Sequence, residues 1–259
     1  MFDKEIADWR NELNAKRAEI GKEESDKLGI ELLTLLNKND GNLLEEDLYA
    51  KAGKLLKMGA NPDVREKFTL QTFLMKVAEK GFFTLVDLLC NAGADLDCQD
   101  ADLQTALMKV ADQRVLDIVR KEFNSTGKVT KAKSIWCKYI PMLNNYLPYD
   151  KIMRLLIENH CKLDLQDKFG LTALGYATRY GTEKGYIKML VKSGANPLVE
   201  TEEKYPRKAS DLANGNENCV KYLHNVEQEW IKNGLKRPSK YLPEIYFSEM
   251  DKMAEENNR

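Results

Sequence analysis

A seven-residue segment returns along this chain at a fixed distance, and that recurrence constrains the fold more than any other feature. Thr72-Phe73-Leu74-Met75-Lys76-Val77-Ala78 reappears 33 residues later as Thr105-Ala106-Leu107-Met108-Lys109-Val110-Ala111, with six of the seven residues identical. A looser copy, Thr172-Ala173-Leu174-Gly175-Tyr176-Ala177, lies 67 residues beyond Thr105, close to two more periods. A second marker keeps the same beat. Gly59-Ala60-Asn61-Pro62, Gly93-Ala94-Asp95-Leu96, His160-Cys161-Lys162-Leu163 and Gly194-Ala195-Asn196-Pro197 stand 34, 67 and 34 residues apart. Between the markers apolar residues recur at helical spacing, as in Phe82, Leu85, Val86, Leu88 and Leu89, or Ile152, Leu155, Leu156 and Ile157. Each unit therefore reads as helix, turn, helix and a glycine-stopped loop, in a chain expected to be all-α.

Composition limits what such an array can do. The 40 Lys and Arg balance 41 Asp and Glu, for a formal charge of −1, which removes any global electrostatic argument for nucleic acid or an anionic membrane. Apolar residues at 43% and charged residues at 31% give a core and a solvated exterior. Acids and bases fill the first twenty residues and no window approaches about 18 consecutive apolar residues, so the expectation is a soluble, cytoplasmic protein with neither leader nor membrane span. Delivery into a host cytosol without a general secretory signal is the other reading of location. The five cysteines, Cys90, Cys98, Cys137, Cys161 and Cys219, are widely spaced with no C-x-x-C pair, which suits buried thiols in a reducing compartment.

A 33-residue period with a T-x-L-x-x-A first helix and a Gly-Ala-Asp/Asn stop resembles the ankyrin repeat. The resemblance implies a solenoid of stacked helix-turn-helix units, in which the threonine opens the first helix and the glycine takes positive φ where the second helix ends. The sequence departs from the family pattern in two ways. Its Pro and His after the threonine are replaced by Phe73 and Met75, Ala106 and Met108, and Ala173 and Gly175. At His160-Cys161 the terminating glycine is missing, so a non-glycine residue is expected at positive φ there.

On this reading the array runs over residues 25–228, in units of about 25–62, 63–96, 97–128, 129–163, 164–197 and 198–228. The fourth is atypical. It has Pro141 and Pro148 in or beside its first helix and bulky residues where small ones belong. Residues 1–24 form an amphipathic helix with Phe2, Ile6, Trp9, Leu13 and Ile20 on one face, read as a cap on the first repeat or as a partner-binding or dimerising helix. Residues 229–259, with Pro238, Pro243, Tyr241, Tyr246 and Phe247, are a C-terminal extension that caps the array or docks elsewhere, its end disordered.

The residues offer little for chemistry. His160 and His224 sit in no catalytic or metal signature, the glycines stand singly at repeat stops, and Cys137 lies between Trp136 and Lys138 among packing residues. No catalytic residue, metal or cofactor is expected. A basic run of Lys128, Lys131, Lys133 and Lys138 with Trp136 and Tyr139 interleaved reads as a solvated helix face, with an anionic partner or nucleic acid as the lesser alternative.

Function is expected as recognition, by a non-enzymatic scaffold or adaptor that binds a protein, with a monomer as the expected state. By resemblance to ankyrin arrays the contact positions are Phe68, Thr69, Gln71, Glu79 and Lys80 in the second unit. They are Ala101, Asp102, Gln104, Asp112 and Gln113 in the third, and Lys168, Phe169, Leu171, Arg179 and Tyr180 in the fifth. Phe68, Phe169 and Tyr180 are the expected hot spots, because an aromatic ring at a loop tip has little to pack on unless a partner covers it. The alternative is an inhibitor of a partner enzyme, possibly a microbial host-directed protein, that binds through Trp136, Tyr139, Tyr146 and Tyr149 of the fourth unit.

Overall fold

A computed structural model describes residues 2–36, 45–112, 148–179, 184–213 and 217–235. The described residues form helices and turns with no strand. They fall into two compact bodies that divide between Asn159 and His160, with Ala111 and Asp112 counted to the second.

The first body holds α1 (Phe2–Ile20), α2 (Lys22–Thr34), α3 (Glu45–Lys57), α4 (Phe73–Glu79), α5 (Phe83–Asn91), α6 (Ala106–Ala111, save its last residue) and α7 (Tyr149–Glu158). Helix α5 is its centre. It packs on α3, α4 and α7, and Leu85, Val86, Leu88, Leu89 and Cys90 are all buried. A helix with neighbours on three sides needs apolar residues around most of its circumference. Glu45 of α3 caps the N-terminus of α5, its carboxylate accepting from the Thr84 backbone N–H at 2.8 Å and the Thr84 hydroxyl at 2.7 Å. Free N–H groups at a helix start need such acceptors. Helix α7 lies directly against α5, and the Tyr149 hydroxyl donates to the Glu79 carbonyl at 2.8 Å.

The threonines open their helices as expected. Thr72, Thr105 and Thr172 accept through Oγ1 from the backbone N–H of Met75, Met108 and Gly175 at 3.4, 3.3 and 3.2 Å. The stops behave as expected too, with φ of +101° at Gly59, +77° at Gly93 and +98° at Gly194, and His160 takes +63° without a glycine.

Helix α1 does more than cover one end of the first unit. Arg17 donates to the Ala60 carbonyl at 3.2 Å and the Ala92 carbonyl at 3.3 Å, while Arg10 reaches the Asn91 and Cys90 carbonyls at 3.2 and 2.9 Å. Helix C-termini leave carbonyls without intrahelical donors and carry the negative end of the helix dipole, so a guanidinium is the natural partner. The helix thus straps two consecutive glycine stops. Its approach adds a second reason for Gly59, since a Cβ there would stand 2.7 Å from Ile20 Cδ1.

The second body contains α8 (Ala173–Arg179), α9 (Lys184–Lys192), α10 (Ala209–Leu212) and α11 (Glu217–Lys232). Helix α8 packs on α9 and α10, and α10 on α11. Among the described residues no helix is long and apolar enough to cross a membrane.

Candidate interaction surface

The turns that precede α4, α6 and α8 are built on one plan. In each, the residue at the turn base closes a backbone bond across the loop: Glu66 N–H to the Gln71 carbonyl at 2.9 Å, Asp100 to Gln104 at 3.0 Å, and Asp167 to Leu171 at 3.0 Å. The same acid then takes a donor four residues past the N-cap threonine. Lys76 pairs with Glu66 at 2.9 Å, Lys109 with Asp100 at 2.8 Å, and the Tyr176 hydroxyl donates to Asp167 at 2.6 Å. Asp100 also accepts from the N–H groups of Asp102 and Gln104, both at 2.9 Å, and Asp167 from those of Phe169 and Leu171, both at 2.8 Å. These acids fold the tips over a side-chain oxygen, as aspartate does in turns.

Neighbouring tips are stitched together within each body. In the first, Ala101 N–H donates to the Thr69 carbonyl at 2.9 Å, Arg65 to the Gln99 carbonyl at 3.2 Å, and Asp95 N–H to the Asp63 carboxylate at 2.9 Å. In the second, Glu202 N–H donates to the Phe169 carbonyl at 3.0 Å, Gln166 to the Glu200 carbonyl at 2.9 Å, and Asn196 N–H to Asp164 at 2.8 Å. Gly170 lets the two backbones touch. A Cβ there would lie 2.4 Å from the Glu202 nitrogen.

Fixed tips present exposed rings. Phe68 is 83% exposed, Phe169 52% and Tyr205 74%. The lysine before each ring stands over it: Lys67 at 5.7 Å, Lys168 at 5.1 Å and Lys204 at 5.7 Å from the ring centroid. Such cation–π contacts keep an ammonium beside the ring without burying either group. Two leucines add apolar surface to the first body's tips. Leu70 and Leu103, 39% and 46% exposed, both sit two residues before the N-cap threonine, with φ of +54° and +59°. At the matching place the second body has Gly170, at +75°.

Thr69, Glu79, Lys80, Ala101, Asp102 and Lys168 are exposed, and Gln71, Gln104, Asp112 and Arg179 are half-buried. Phe68 and Thr69 are brought beside Ala101 and Asp102, whereas Leu171 is buried behind its tip. Tyr149 is buried too, its hydroxyl held by the Glu79 carbonyl. Gln113, Tyr180, Trp136, Tyr139 and Tyr146, with Cys137 and the basic run, lie outside the described residues. So does the C-terminal extension from residue 236 on.

Three tip residues escape the motif-based reading. Tyr205 carries a visible signal, since Lys204-Tyr205 repeats the Lys67-Phe68 and Lys168-Phe169 pairs and follows the latter by 36 residues. Leu70 and Leu103 carry none until their backbone angles are known.

The electrostatics beneath the tips favour a rigid, unreactive base. Burial, followed by the charges of Asp95 and Asp63, pushes the Cys98 thiol up to about 11 against the opposing effect of Arg65. Burial likewise lifts the Cys90 thiol to about 12. Burial raises the Asp63 carboxyl above its ordinary range, with the Asp95 N–H, Arg17 and Arg65 opposing and the Asp95 charge adding to the rise. Among the described residues no group of three His, Cys, Asp or Glu could hold a metal ion.

Compared with known families, residues 144–233 match the ankyrin repeats, in three copies. The match contains the second body's tips, with Phe169 and Tyr205. No curated protein matches the chain.

Proposed function

From the premise that the chain carries ankyrin repeats, a module that mediates protein–protein interaction, we propose that it is a binding protein that holds a protein partner on its turn tips, as a scaffold or adaptor. The observation that carries this reading is the three exposed rings, each on a tip whose backbone is fixed by a buried or half-buried acid. Ordering a loop on binding costs free energy, and a tip already clamped from beneath avoids most of that cost. Aromatic side chains with few rotatable bonds are the usual hot spots of such surfaces.

The supporting chemistry is that of recognition. The lysines over the rings attract acidic side chains while the free ring faces accept apolar ones. The test is an affinity capture with quantitative mass spectrometry, comparing the wild-type chain with Phe68→Ala/Phe169→Ala/Tyr205→Ala. All three rings are exposed, so the variant is expected to keep its helical circular dichroism. A partner lost in the triple variant supports binding through the tips. A partner captured equally well by both chains refutes it.

A further inference from the structure

The tips of the first body are self-complementary, and we propose that they join two copies of this chain. One tip presents Lys67-Phe68, a cation followed by an exposed ring. Its neighbour presents Asp102-Leu103, an exposed acid followed by an exposed aliphatic side chain. The two tips lie side by side, linked by the Ala101 N–H to Thr69 carbonyl bond of 2.9 Å. A two-fold axis through this pair of tips sets Lys67-Phe68 of one copy against Asp102-Leu103 of the other. The same operation forms the reciprocal contact, as a closed isologous interface requires. With a formal charge of −1, two copies meet almost no net repulsion.

The leucines carry the argument further than exposure alone. A left-handed backbone costs an L-residue with a Cβ roughly 1–2 kcal/mol relative to glycine. Leu70 and Leu103 occupy it at +54° and +59°, although Gly170 shows that glycine serves the same turn position in this very chain. Nothing within the first body rewards the leucines for that cost, since both side chains remain substantially exposed. Contact with apolar groups of a second copy does. Backbone strain kept at exposed positions is a mark of a functional surface.

A patch of this size supports a weak, concentration-dependent dimer rather than an obligate one. This inference is independent of the partner reading above, which stands if the chain proves monomeric.

The test is sedimentation velocity on the full chain across protein concentrations on the order of 10 to 500 µM, with dissociation expected in the upper part of that range. The weight-average mass is expected to rise from 29.7 kDa toward twice that value. Lys67→Glu alone and Asp102→Lys alone place like charges opposite each other, and each is expected to weaken association about tenfold. The double charge swap is expected to restore it. Leu70→Gly/Leu103→Gly is expected to abolish association while the melting temperature holds or rises, which separates lost contact from lost folding. A wild-type chain that stays at monomer mass throughout overturns the proposal. So does a dimer indifferent to these substitutions, or a charge swap that fails to restore what the single changes remove.

Discussion

The Lys109–Asp100 pair is the clearest place to test how the tips are held. Lys109 and Asp100 side chains are 8% and 5% exposed and 2.8 Å apart, and Asp100 further accepts two backbone N–H groups of its own tip. Lys109→Met keeps the length of the side chain and removes its charge. Breaking a buried ion pair from one side costs about 3–5 kcal/mol, because the remaining charge is left without its counterion. Two N–H donors still solvate Asp100, so the expected loss here is about 2–4 kcal/mol. Asp100→Asn alone strands the ammonium instead and is expected to cost a similar amount. The double variant Lys109→Met/Asp100→Asn leaves no buried charge and keeps a side-chain oxygen for both N–H groups. It is expected to lie within about 1 kcal/mol of wild type, giving a coupling of at least about 2 kcal/mol in the cycle. Urea unfolding followed by far-ultraviolet circular dichroism measures all four chains, with a constant slope required for the comparison. The second body gives an internal control. Tyr176→Phe removes a neutral donor from Asp167, which is 3% exposed, and the expected cost is about 1.5–3 kcal/mol. If Lys109→Met unfolds at the wild-type midpoint, or if the cycle shows no coupling, the acids do not clamp the tips and the rigidity assigned to the rings loses its basis.

Asp63→Asn is expected to stabilise the chain at pH 7. Burial raises the folded-state carboxyl above its unfolded value of 3.8, so the folded chain binds the proton more readily and stability falls as pH rises through that interval. The melting-temperature gain of the variant should therefore vanish below about pH 3.8, and a gain that persists unchanged at pH 3 would contradict the assignment. Cys90 and Cys98, lifted to about 12 and about 11, are expected to stay unalkylated by iodoacetamide at pH 8 in the native protein and to react fully in denaturant, as read by peptide mass mapping. Arg17→Ala leaves the Ala60 and Ala92 carbonyls without their donor and is expected to cost about 1–2 kcal/mol of unfolding free energy. An unchanged melting curve would show that α1 does not strap the glycine stops.

Much of the local structure was legible because it follows from single residues in a periodic frame. The N-cap threonines and stop glycines each satisfy a requirement of their own backbone, and those requirements travel with the motif. Phe68 and Phe169 were visible for the same reason: a turn position excludes its side chain from the helix packing. Tyr205 was equally available from the repeated Lys-aromatic pair, but the sixth unit keeps too little of the helix motif to draw attention to its turn. What could not be read was set by contacts between distant residues. The family's histidine is absent, and the sequence suggested a lost hydrogen bond. The structure shows Lys76, Lys109 and Tyr176 reaching the turn acid from the position one residue later. Nor does the amphipathic face of α1 reveal that Arg10 and Arg17 would find carbonyls of two successive stops. A helical wheel shows which side is apolar, not which polar groups wait beside it.

Period counting also assumes that each interval of sequence adds one layer to the stack, and α7 puts that assumption to work. The 67 residues between Thr105 and Thr172 read as two units. Yet α7 packs directly on α5, the second helix of the second unit, and Tyr149 at its start bonds the carbonyl of Glu79 at the end of α4. That is the position the second helix of the third unit would occupy, so α6 and α7 together meet the packing needs of one unit. The helices of the second unit are joined by residues 80–82 alone, whereas residues 112–148 separate α6 from α7. Replacing residues 113–147 with a short Gly/Ser linker is therefore expected to leave the buried contacts of α5, including those with Ile152, Met153 and Leu156 available on α7, to form. The shortened chain should keep the cooperative urea transition and the helical circular dichroism of the remaining residues. Loss of that transition would show that a further helix pair is required between α6 and α7, and would restore the count of one layer per period.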